Sequence, residues 1–340
     1  MIIIDITGLV FQHIHSCINV CKLKTQDNGV YDHNIISNYV IKAISDDIFT
    51  YEKKFQEFNK QGIVICTDDT HRGNWRSQVY KPYKKCRRKE NDPVPVAKIF
   101  ERVNEFIKQL SLNTKIKVIS VQSAEADDCI LTLAKNCSCE TIIISSDKDM
   151  IQAQKNPLVK QYSPMTKKWV TYESKDVNNL DEWIIEHVVL GDVSDGVPRI
   201  FDEADYTDEF VKYLNSNNIN TSDVDDGIVD SFIKDNPGCS VWVKHRLGPK
   251  TIQKMIREGS INELINKYKT NYDRNKKLVL TEGIPEYISN GVMCLFNKEK
   301  LLTSSNTSDF MEYTDMIGID VPANTSILVP RDVVTIDDFF

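Results

Sequence analysis

Short apolar runs alternate with longer amphipathic segments along the first 150 residues. Four runs rich in β-branched residues predict buried strands: Ile2–Ile4, Gly62–Cys66, Ile116–Ile119 and Thr141–Ile144. Apolar residues at helical spacing predict helices over 35–59 and about 94–110, and Ser123 is the expected N-cap of a third. This alternation predicts an α/β fold, with a mostly parallel central sheet and helices on both faces.

The second half of the chain has a different pattern. A hairpin-like pair, Val159–Ser163 and Trp169–Tyr172, precedes a helix over about 177–190 that ends at Gly191. Segment 201–240 holds ten Asp or Glu against two Lys and is poor in apolar runs, which indicates a surface insertion. A helix opening at Gly248 and two or three more over 260–300 predict a smaller helical region.

These patterns divide the chain into three predicted parts. The α/β core covers 1–190 and carries a basic segment at about 70–92. The helical region covers 191–300 and contains the acidic insertion 201–240, and an extension covers 301–340.

Acidic residues gather at one expected edge of the predicted sheet. Three groups are involved: Asp5, Asp68, Asp147 and Asp149 after strands; Glu125, Asp127 and Asp128 at a helix start; Asp192 and Asp195 in a loop. Each alone is usually a turn residue or a cap. Together they repel, since two unit charges ~5 Å apart at an effective dielectric of about 20 cost roughly 3 kcal/mol. The cluster therefore predicts hard divalent cations, Mg²⁺ or Mn²⁺, and a pair of these suits phosphodiester hydrolysis.

The distribution of charge along the chain favours a nucleic-acid partner, although the net charge alone argues against one. The 340 residues carry a formal net charge of -7. Residues 71–90, however, hold eight Lys or Arg against one Glu, a local charge of +7. Trp75, Tyr80 and Tyr83 are interleaved with these cations, a pattern that suits phosphate contacts and base stacking. A solvated helix face is the alternative interpretation.

Four further features of the sequence bear on phosphate binding, zinc or disulfide frameworks, nucleophilic catalysis and membrane association. Lys250 and Thr251 lie at a predicted helix start, where free N–H groups can bind phosphate, although many ordinary helices begin with Gly-Pro. The nine cysteines include no CxxC pair, which argues against zinc and disulfide frameworks and favours a reducing cytoplasm. The six histidines show no paired spacing for nucleophilic catalysis. No signal peptide or membrane-spanning run is expected, and hence no membrane partner.

Four motifs resemble those of the flap endonuclease/5′-3′ exonuclease superfamily. They are Glu125-Ala126-Asp127-Asp128, Ser146-Asp147-Lys148-Asp149, Gly191-Asp192-Val193-Ser194-Asp195 and the arch motif Tyr83-Lys84-Lys85-Cys86-Arg87. The resemblance covers roughly 1–200 and 244–300. It implies a PIN-like nuclease core, a duplex-binding helical region, and a Mg²⁺-dependent 5′ nuclease with ribonuclease H activity. Such an enzyme removes RNA primers and 5′ flaps during lagging-strand replication.

The resemblance also implies roles for individual residues. One metal ion would be held by Asp5, Asp68, Glu125, Asp127 or Asp128, and Asp147, and a second by Asp149, Asp192 and Asp195. Lys84 and Arg87 would contact the scissile phosphate. Tyr83 or Tyr80 would stack on the nucleotide, while Arg72 and Arg76 would hold the single strand beneath an arch.

The sequence departs from the family pattern in two places. Gly196-Val197-Pro198 and Leu247-Gly248-Pro249-Lys250-Thr251 look like the two halves of the duplex-binding helix–turn–helix, split by the acidic insertion. Gly196 also stands where the family commonly has Asn.

The implied partners are DNA and RNA/DNA hybrids with a 5′ end or flap. The tail over 335–340 is similar to peptides that dock on a sliding clamp, although a frayed terminus is the default. Single-strand DNA-binding protein is a further candidate partner, and we expect a monomer in the host bacterial cytoplasm if the chain is phage-encoded. Two alternatives stay open: a non-catalytic structure-specific DNA-binding module, and a single-strand ribonuclease of the PIN type. PIN-type chains are much shorter and lack the Gly-Pro-Lys-Thr element.

Overall fold

The computed structural model describes residues 1–20, 22–26, 29–69, 73–85, 93–175, 177–202, 205–243, 245, 247–322 and 324–328. The chain forms two compact units. The first comprises Met1–Trp75, Lys89–Thr171 and Ile284–Phe340, and the second comprises Arg76–Arg88 and Tyr172–Gly283.

A six-stranded sheet forms the centre of the first unit. Its strands are β1 (Ile2–Asp5), β2 (Ile63–Cys66), β3 (Lys117–Ile119), β4 (Thr141–Ile144), β5 (Val159–Ser163) and β6 (Lys168–Val170). They lie in the order β3-β2-β1-β4-β5-β6. All neighbours are parallel except β6, which pairs antiparallel with β5 as the predicted hairpin. The prediction of a mostly parallel sheet is confirmed.

The direction in which strands are added to the sheet reverses at β1. Ile4 pairs with Ile65 of β2 on one side and with Ile144 of β4 on the other. In open α/β sheets, ligands bind at the carboxyl ends of the strands beside such a reversal. The ends of β1 and β4 are therefore the expected position of a functional site.

The described α-helices have the following bounds: α1 Ile6–His15, α2 His33–Lys54, α3 Trp75–Val79, α4 Val96–Asn113, α5 Ala126–Asn136, α6 Leu180–Leu190, α7 Asp208–Ser216, α8 Asp226–Asp235, α9 Pro249–Glu258, α10 Ile261–Lys267, α11 Lys269–Val279, α12 Glu286–Asn297 and α13 Ser304–Met316. A 3₁₀ segment, Gln56–Gln61, extends the region predicted as the first long helix. The predicted helices over 260–300 are confirmed as α10, α11 and α12. In the described part of the chain, no helix has both the length and the apolar character needed to span a membrane.

Helices cover both faces of the sheet, as predicted. Ile2 and Ile4 belong to one apolar cluster with buried residues of α1, α2 and α4. The alternate strand residues Ile3, Val64 and Ile143 are also fully buried but lie outside that cluster. Because successive side chains of a strand point to opposite faces, these residues belong to the face where α5 packs on β1 and β2.

The predicted N-cap of α5 is wrong. Ser123 adopts a left-handed conformation (φ +62°), and its N–H donates to the Asp69 carboxylate. Glu125 is the N-cap, in a capping box with Asp128. A cap side chain that reciprocates with the third helical residue satisfies two orphan N–H groups, and Ser123 is too far upstream to do so.

The acidic segment 201–240 is more ordered in its packing than the sequence indicates. Its helices α7 and α8 share a small apolar cluster that contains Phe210, Leu214, Phe232 and Val241. The interpretation as a surface insertion poor in apolar residues missed this core. The few apolar residues are sufficient because Phe210 and Leu214 lie four positions apart, on one face of α7.

The extension beyond residue 300 contributes to the main core, which the sequence analysis did not predict. Helix α13 packs against α4, and Phe310 is fully buried in the large apolar cluster. We therefore expect Phe310→Ala to lower the free energy of unfolding by about 3–5 kcal/mol. Chemical denaturation measures this value. Met316→Ala on the same helix is the control, because that side chain is 76% exposed; equal losses for both variants would contradict the packing.

Candidate metal centre and nucleic-acid site

Three predicted metal ligands lie at the carboxyl ends of three adjacent strands. Asp5 is the last residue of β1, Asp68 follows β2, and Asp147 follows β4. Asp5 is buried, Asp68 is partly buried and Asp147 is exposed. The predicted convergence on one edge of the sheet therefore comes directly from the strand order.

A serine side chain connects the first and last of these acids. Ser145 Oγ donates to Asp5 Oδ2 at 2.8 Å and accepts the Asp147 N–H at 3.1 Å. Asp5 Oδ1 also accepts the Gly8 N–H at 2.9 Å and so caps α1. A Cβ on Gly8 would lie 2.7 Å from Asp5 Oδ2, so only glycine leaves the carboxylate in this position. Asp147 in turn accepts the Asp149 N–H at 2.8 Å.

The loop after β2 is bound to the start of α5. Asp68 Oδ1 accepts the Ala126 N–H at 2.7 Å. The neighbouring Asp69 accepts the Ser123 N–H at 2.8 Å through Oδ2, and its own N–H donates to Ala124 O at 3.0 Å. These hydrogen bonds bring the acids at the start of α5 to the same edge of the sheet.

The acids at the start of α5 have different surroundings. Asp128 is fully buried, and its Oδ2 accepts the Trp75 Nε1–H at 3.0 Å and the Glu125 N–H at 2.9 Å. Asp127 is partly exposed. Of the two alternatives that the sequence left open, Asp128 thus has a clear structural function in the capping box.

Two buried thiols are sensitive to the negative charge at this edge. Burial raises the pKa of Cys66 well above its usual value, and the nearby Asp5 and Asp127 raise it further. Burial likewise raises the pKa of Cys129, and the negative charges of Asp128, Asp68 and Asp127 raise it further, in that order. Acids from three separate segments therefore act on the same pair of neighbouring side chains.

The chemistry of these residues fits a hard divalent cation. The predicted ligands supply carboxylate oxygens, which Mg²⁺ and Mn²⁺ prefer. Within the described residues, no three Asp, Glu, His or Cys side chains are grouped closely enough to hold a metal ion as they stand. Each carboxylate has two oxygens with two lone pairs apiece, so the hydrogen bonds described above leave sites on these residues that can accept a cation.

In the second unit, Asp192 organises a tight loop. It precedes a 3₁₀ turn, Val193–Asp195, and its Oδ1 accepts the Ser194 N–H at 2.8 Å and the Asp195 N–H at 3.3 Å. Asp192 is buried, whereas Asp195 is partly exposed. The loop that carries both predicted ligands is therefore held by one of them.

Gly191 allows this loop to close. It has a φ of +61°, and a Cβ at this position would lie 2.5 Å from the carbonyl oxygens of Val197 and Pro198. We expect Gly191→Ala to lower the free energy of unfolding by about 2–4 kcal/mol, from the left-handed backbone and the overlap together. Urea denaturation tests this. Gly259→Ala is the matched control, because Gly259 also has a positive φ but open space around it, and a loss as large there would contradict the overlap argument.

Two residues of the predicted arch motif contact Asp195. The Lys84 N–H donates to Asp195 O at 2.7 Å, and Lys84 Nζ lies 3.7 Å from Asp195 Oδ2. Tyr83 OH donates to the same Oδ2 at 2.9 Å. Lys84 has a φ of +56°, an uncommon conformation for a residue with a Cβ and one that clusters at functional sites. The structure thus brings a predicted catalytic cation beside a predicted metal ligand.

Arg76, Tyr80 and Tyr83, which were predicted to bind substrate, make contacts within the second unit. Arg76 is buried and donates through Nε to Leu278 O at 2.7 Å. Tyr83 is only 6% exposed, and Tyr80 lies under the guanidinium of Arg274, 5.0 Å from Cζ to the ring centroid. The predicted roles of Arg76, Tyr80 and Tyr83 with single-stranded substrate stay predictions.

The predicted start of α9 is confirmed. Gly248 is the N-cap and Pro249 the first helical residue, so Lys250 and Thr251 lie exposed in the first turn. Their contact with phosphate stays a prediction. Arg72, Arg87 and the tail over 335–340 lie outside the described residues.

The first half of the chain matches a known protein family. Residues 1–180 match the family model described as the 5′-3′ exonuclease, N-terminal resolvase-like domain. This match covers the whole described sheet and every acid of the first unit that the sequence analysis selected.

Individual relatives extend this similarity. The ribonuclease H of Enterobacteria phage T4 is 29% identical over 273 residues, which cover 79% of each chain. The flap endonuclease Xni of Shewanella piezotolerans is 29% identical over 166 residues, 47% of this chain and 62% of that protein. Among solved structures, a T5 protein co-crystallised with metal ions aligns with a TM-score of 0.49 and 16% identity over 92% of this chain and 98% of that one.

Proposed function

The chain belongs to the 5′-3′ exonuclease family and is a 5′ nuclease, and we propose that it uses Mg²⁺ to remove RNA primers and 5′ flaps during lagging-strand replication. The observation that supports this most directly is the Asp5–Ser145–Asp147 connection across the ends of β1 and β4. The names of the relatives, ribonuclease H and flap endonuclease, support the substrate class.

We propose that the first ion binds to Asp5, Asp68, Glu125, Asp127 and Asp147. Asp127 is preferred to Asp128 because the latter caps α5 and accepts the Trp75 N–H. When bound, the metal lowers the pKa of the attacking water and stabilises the leaving oxygen. The assignment of a second ion to Asp149, Asp192 and Asp195 is kept as a proposal from the family resemblance.

The chain's own cations act on the substrate in this proposal. Lys84 would neutralise charge on the scissile phosphate, with its main chain held by the hydrogen bond to Asp195 O. Lys250 and Thr251, in the first turn of α9, would contact backbone phosphates of the duplex. Phosphate contacts carry no direct sequence information, so we expect recognition of substrate structure rather than of sequence.

The decisive experiment uses two 5′-labelled substrates, a flap duplex and an RNA/DNA hybrid. Each is incubated with the full chain in Mg²⁺, in Mn²⁺ and in EDTA, and the products are sized. We expect 5′ products with either metal and none in EDTA. Binding of both substrates without any cleavage would instead support the non-catalytic DNA-binding alternative. Cleavage in EDTA would contradict the proposed metal dependence.

A sliding clamp is the proposed protein partner of the tail over 335–340, on sequence resemblance alone. We expect a chain that lacks these residues to lose binding to an immobilised clamp while it cleaves an isolated flap at the normal rate. Surface plasmon resonance measures the first property. Equal clamp affinity of the full and shortened chains would remove this partner, and single-strand DNA-binding protein is tested on the same pair of chains.

A further inference from the structure

A buried glutamine lies directly behind the loop that carries Asp147. Gln161 occupies the middle of β5 and is 1% exposed. Its Nε2 donates to Ser145 O at 3.0 Å and to Asp147 O at 2.6 Å. One side-chain amide therefore bridges both ends of the three-residue turn that follows β4.

This turn has several other connections, including the Ser145 N–H, which donates to Tyr162 O of β5 at 3.2 Å. Ser145 Oγ contacts Asp5 and the Asp147 N–H, and Ser146 Oγ lies 2.8 Å from Ser163 Oγ of β5. The Asp147 carbonyl also accepts the Met150 N–H at 3.4 Å, while Gln161 contacts the carbonyl groups at both ends of the turn with one amide. The orientation of these carbonyl groups sets the backbone angles of the turn, so the Gln161 amide contributes directly to the position of the Asp147 side chain.

The Gln161 amide oxygen, Oε1, does not contribute to this bridge. Its Oε1 is buried and has no hydrogen-bond partner among the described residues. A buried acceptor without a protein partner does not add to stability, and an apolar residue would carry no desolvation cost at that atom. Stability alone therefore does not explain a glutamine at this position. The hydrogen bonds from its Nε2 to the two carbonyl oxygens of the turn do.

We propose that Gln161 is a positioning residue for the metal centre, which it prepares by holding the turn 145–147 so that Asp147 lies beside Asp5. This inference rests on the proposed function, because it concerns the same carboxylates. Residues that orient metal ligands from behind usually change metal affinity about 10- to 100-fold when they are removed. Gln161 would act through the turn and would itself contact neither metal nor substrate.

The test compares Gln161→Met with Gln154→Met. Methionine has a similar length but no amide donor. Gln154 is the matched control, because its Nε2 donates to Val170 O at 2.8 Å and not to the turn. Two measurements need no cleavage: hydrogen exchange of the Asp147 amide in metal-free protein, and Mn²⁺ affinity by electron paramagnetic resonance. A third is the Mg²⁺ concentration that gives half-maximal cleavage of the flap substrate.

We expect Gln161→Met to accelerate exchange at Asp147, to weaken Mn²⁺ binding about 10- to 100-fold, and to raise the half-maximal Mg²⁺ concentration by a similar factor. Excess metal should restore most of the maximal rate. Gln154→Met should leave all three values unchanged. If Gln161→Met does not fold, Gln161→Asn replaces it, because its amide is one methylene too short to reach both carbonyls.

Three outcomes separate the possible failures. A folded Gln161 variant with the exchange rate and Mn²⁺ affinity of the unaltered chain would overturn the positioning role and leave the nuclease proposal intact. An unaltered chain that neither binds Mn²⁺ nor cleaves would overturn both the proposed function and this inference. Loss of stability with unchanged metal affinity would show that Gln161 only supports the fold, and would also overturn the proposal.

Discussion

Asp147→Asn is expected to abolish cleavage by the full chain while nucleic-acid binding stays nearly intact. Asparagine keeps the shape of the side chain and an oxygen that can still accept the Asp149 N–H. It removes a negative charge that offsets the charge of a bound divalent cation, and leaves a weaker, neutral oxygen ligand. We expect kcat on the flap substrate to fall by about 1,000-fold or more, which corresponds to about 4 kcal/mol of transition-state stabilisation.

Three measurements with one control make this result specific. Cleavage rates are recorded at saturating Mg²⁺, Kd for the flap duplex is measured by fluorescence anisotropy, and thermal unfolding confirms the fold. Asp315→Asn carries the same charge change at an exposed position of α13, and we expect it to behave as the unaltered chain. A rate for Asp147→Asn within tenfold of normal would remove Asp147 from the metal centre.

The sheet and its acidic edge were predictable because both depend on local sequence. The apolar runs at Ile2–Ile4 and Thr141–Ile144 are short, β-branched and bounded by acids, and each forms a fully buried strand. Parallel strands end at the same edge, so the position of an acid in the sequence fixes its edge in the fold. The order of the strands, which puts β1 beside β4, depends on the packing of the whole unit and has no local signal.

Features that depend on long-range packing were missed. Helix α13 has a weakly amphipathic sequence, and its Phe310 is identified as a core residue only through its contact with the cluster on α4. The core of the acidic insertion depends in the same way on Phe210 and Phe232, which are 22 positions apart and in ring contact at 4.9 Å. Neither contact follows from periodicity within one element.

The sequence of β5 itself contains a signal for the role of Gln161. In the strand Val159–Ser163, the exposed residue is Lys160, so Gln161 lies at a buried position. A polar side chain at a buried strand position must find hydrogen-bond partners. The strand alone does not identify those partners, because the carbonyls of Ser145 and Asp147 belong to a neighbouring segment whose approach is set by the pairing of β4 with β5.

Lys84→Ala should cause the second large loss of activity. This substitution should leave the backbone of residue 84 unchanged. Ala keeps the Cβ and so the same strain at φ +56°, and the main-chain hydrogen bond to Asp195 O does not involve the side chain. The ammonium group and its stem are removed, and with them the Nζ contact to Asp195 Oδ2 at 3.7 Å. A fixed donor to a developing negative charge is worth about 100- to 1,000-fold in kcat, and we expect a loss of that size with little change in KM.

Lys85→Ala is the matched control for Lys84→Ala, because it removes the same charge from the next residue, whose side chain is exposed. Single-turnover cleavage of the flap duplex separates the chemical step from binding and product release. If both alanine variants slowed cleavage equally, the effect would reflect general attraction of the substrate to a basic segment, and raised salt would reproduce it in the unaltered chain. Loss confined to Lys84→Ala, with partial recovery in Lys84→Arg, would assign the effect to a cation held at this position by the main-chain contact with Asp195.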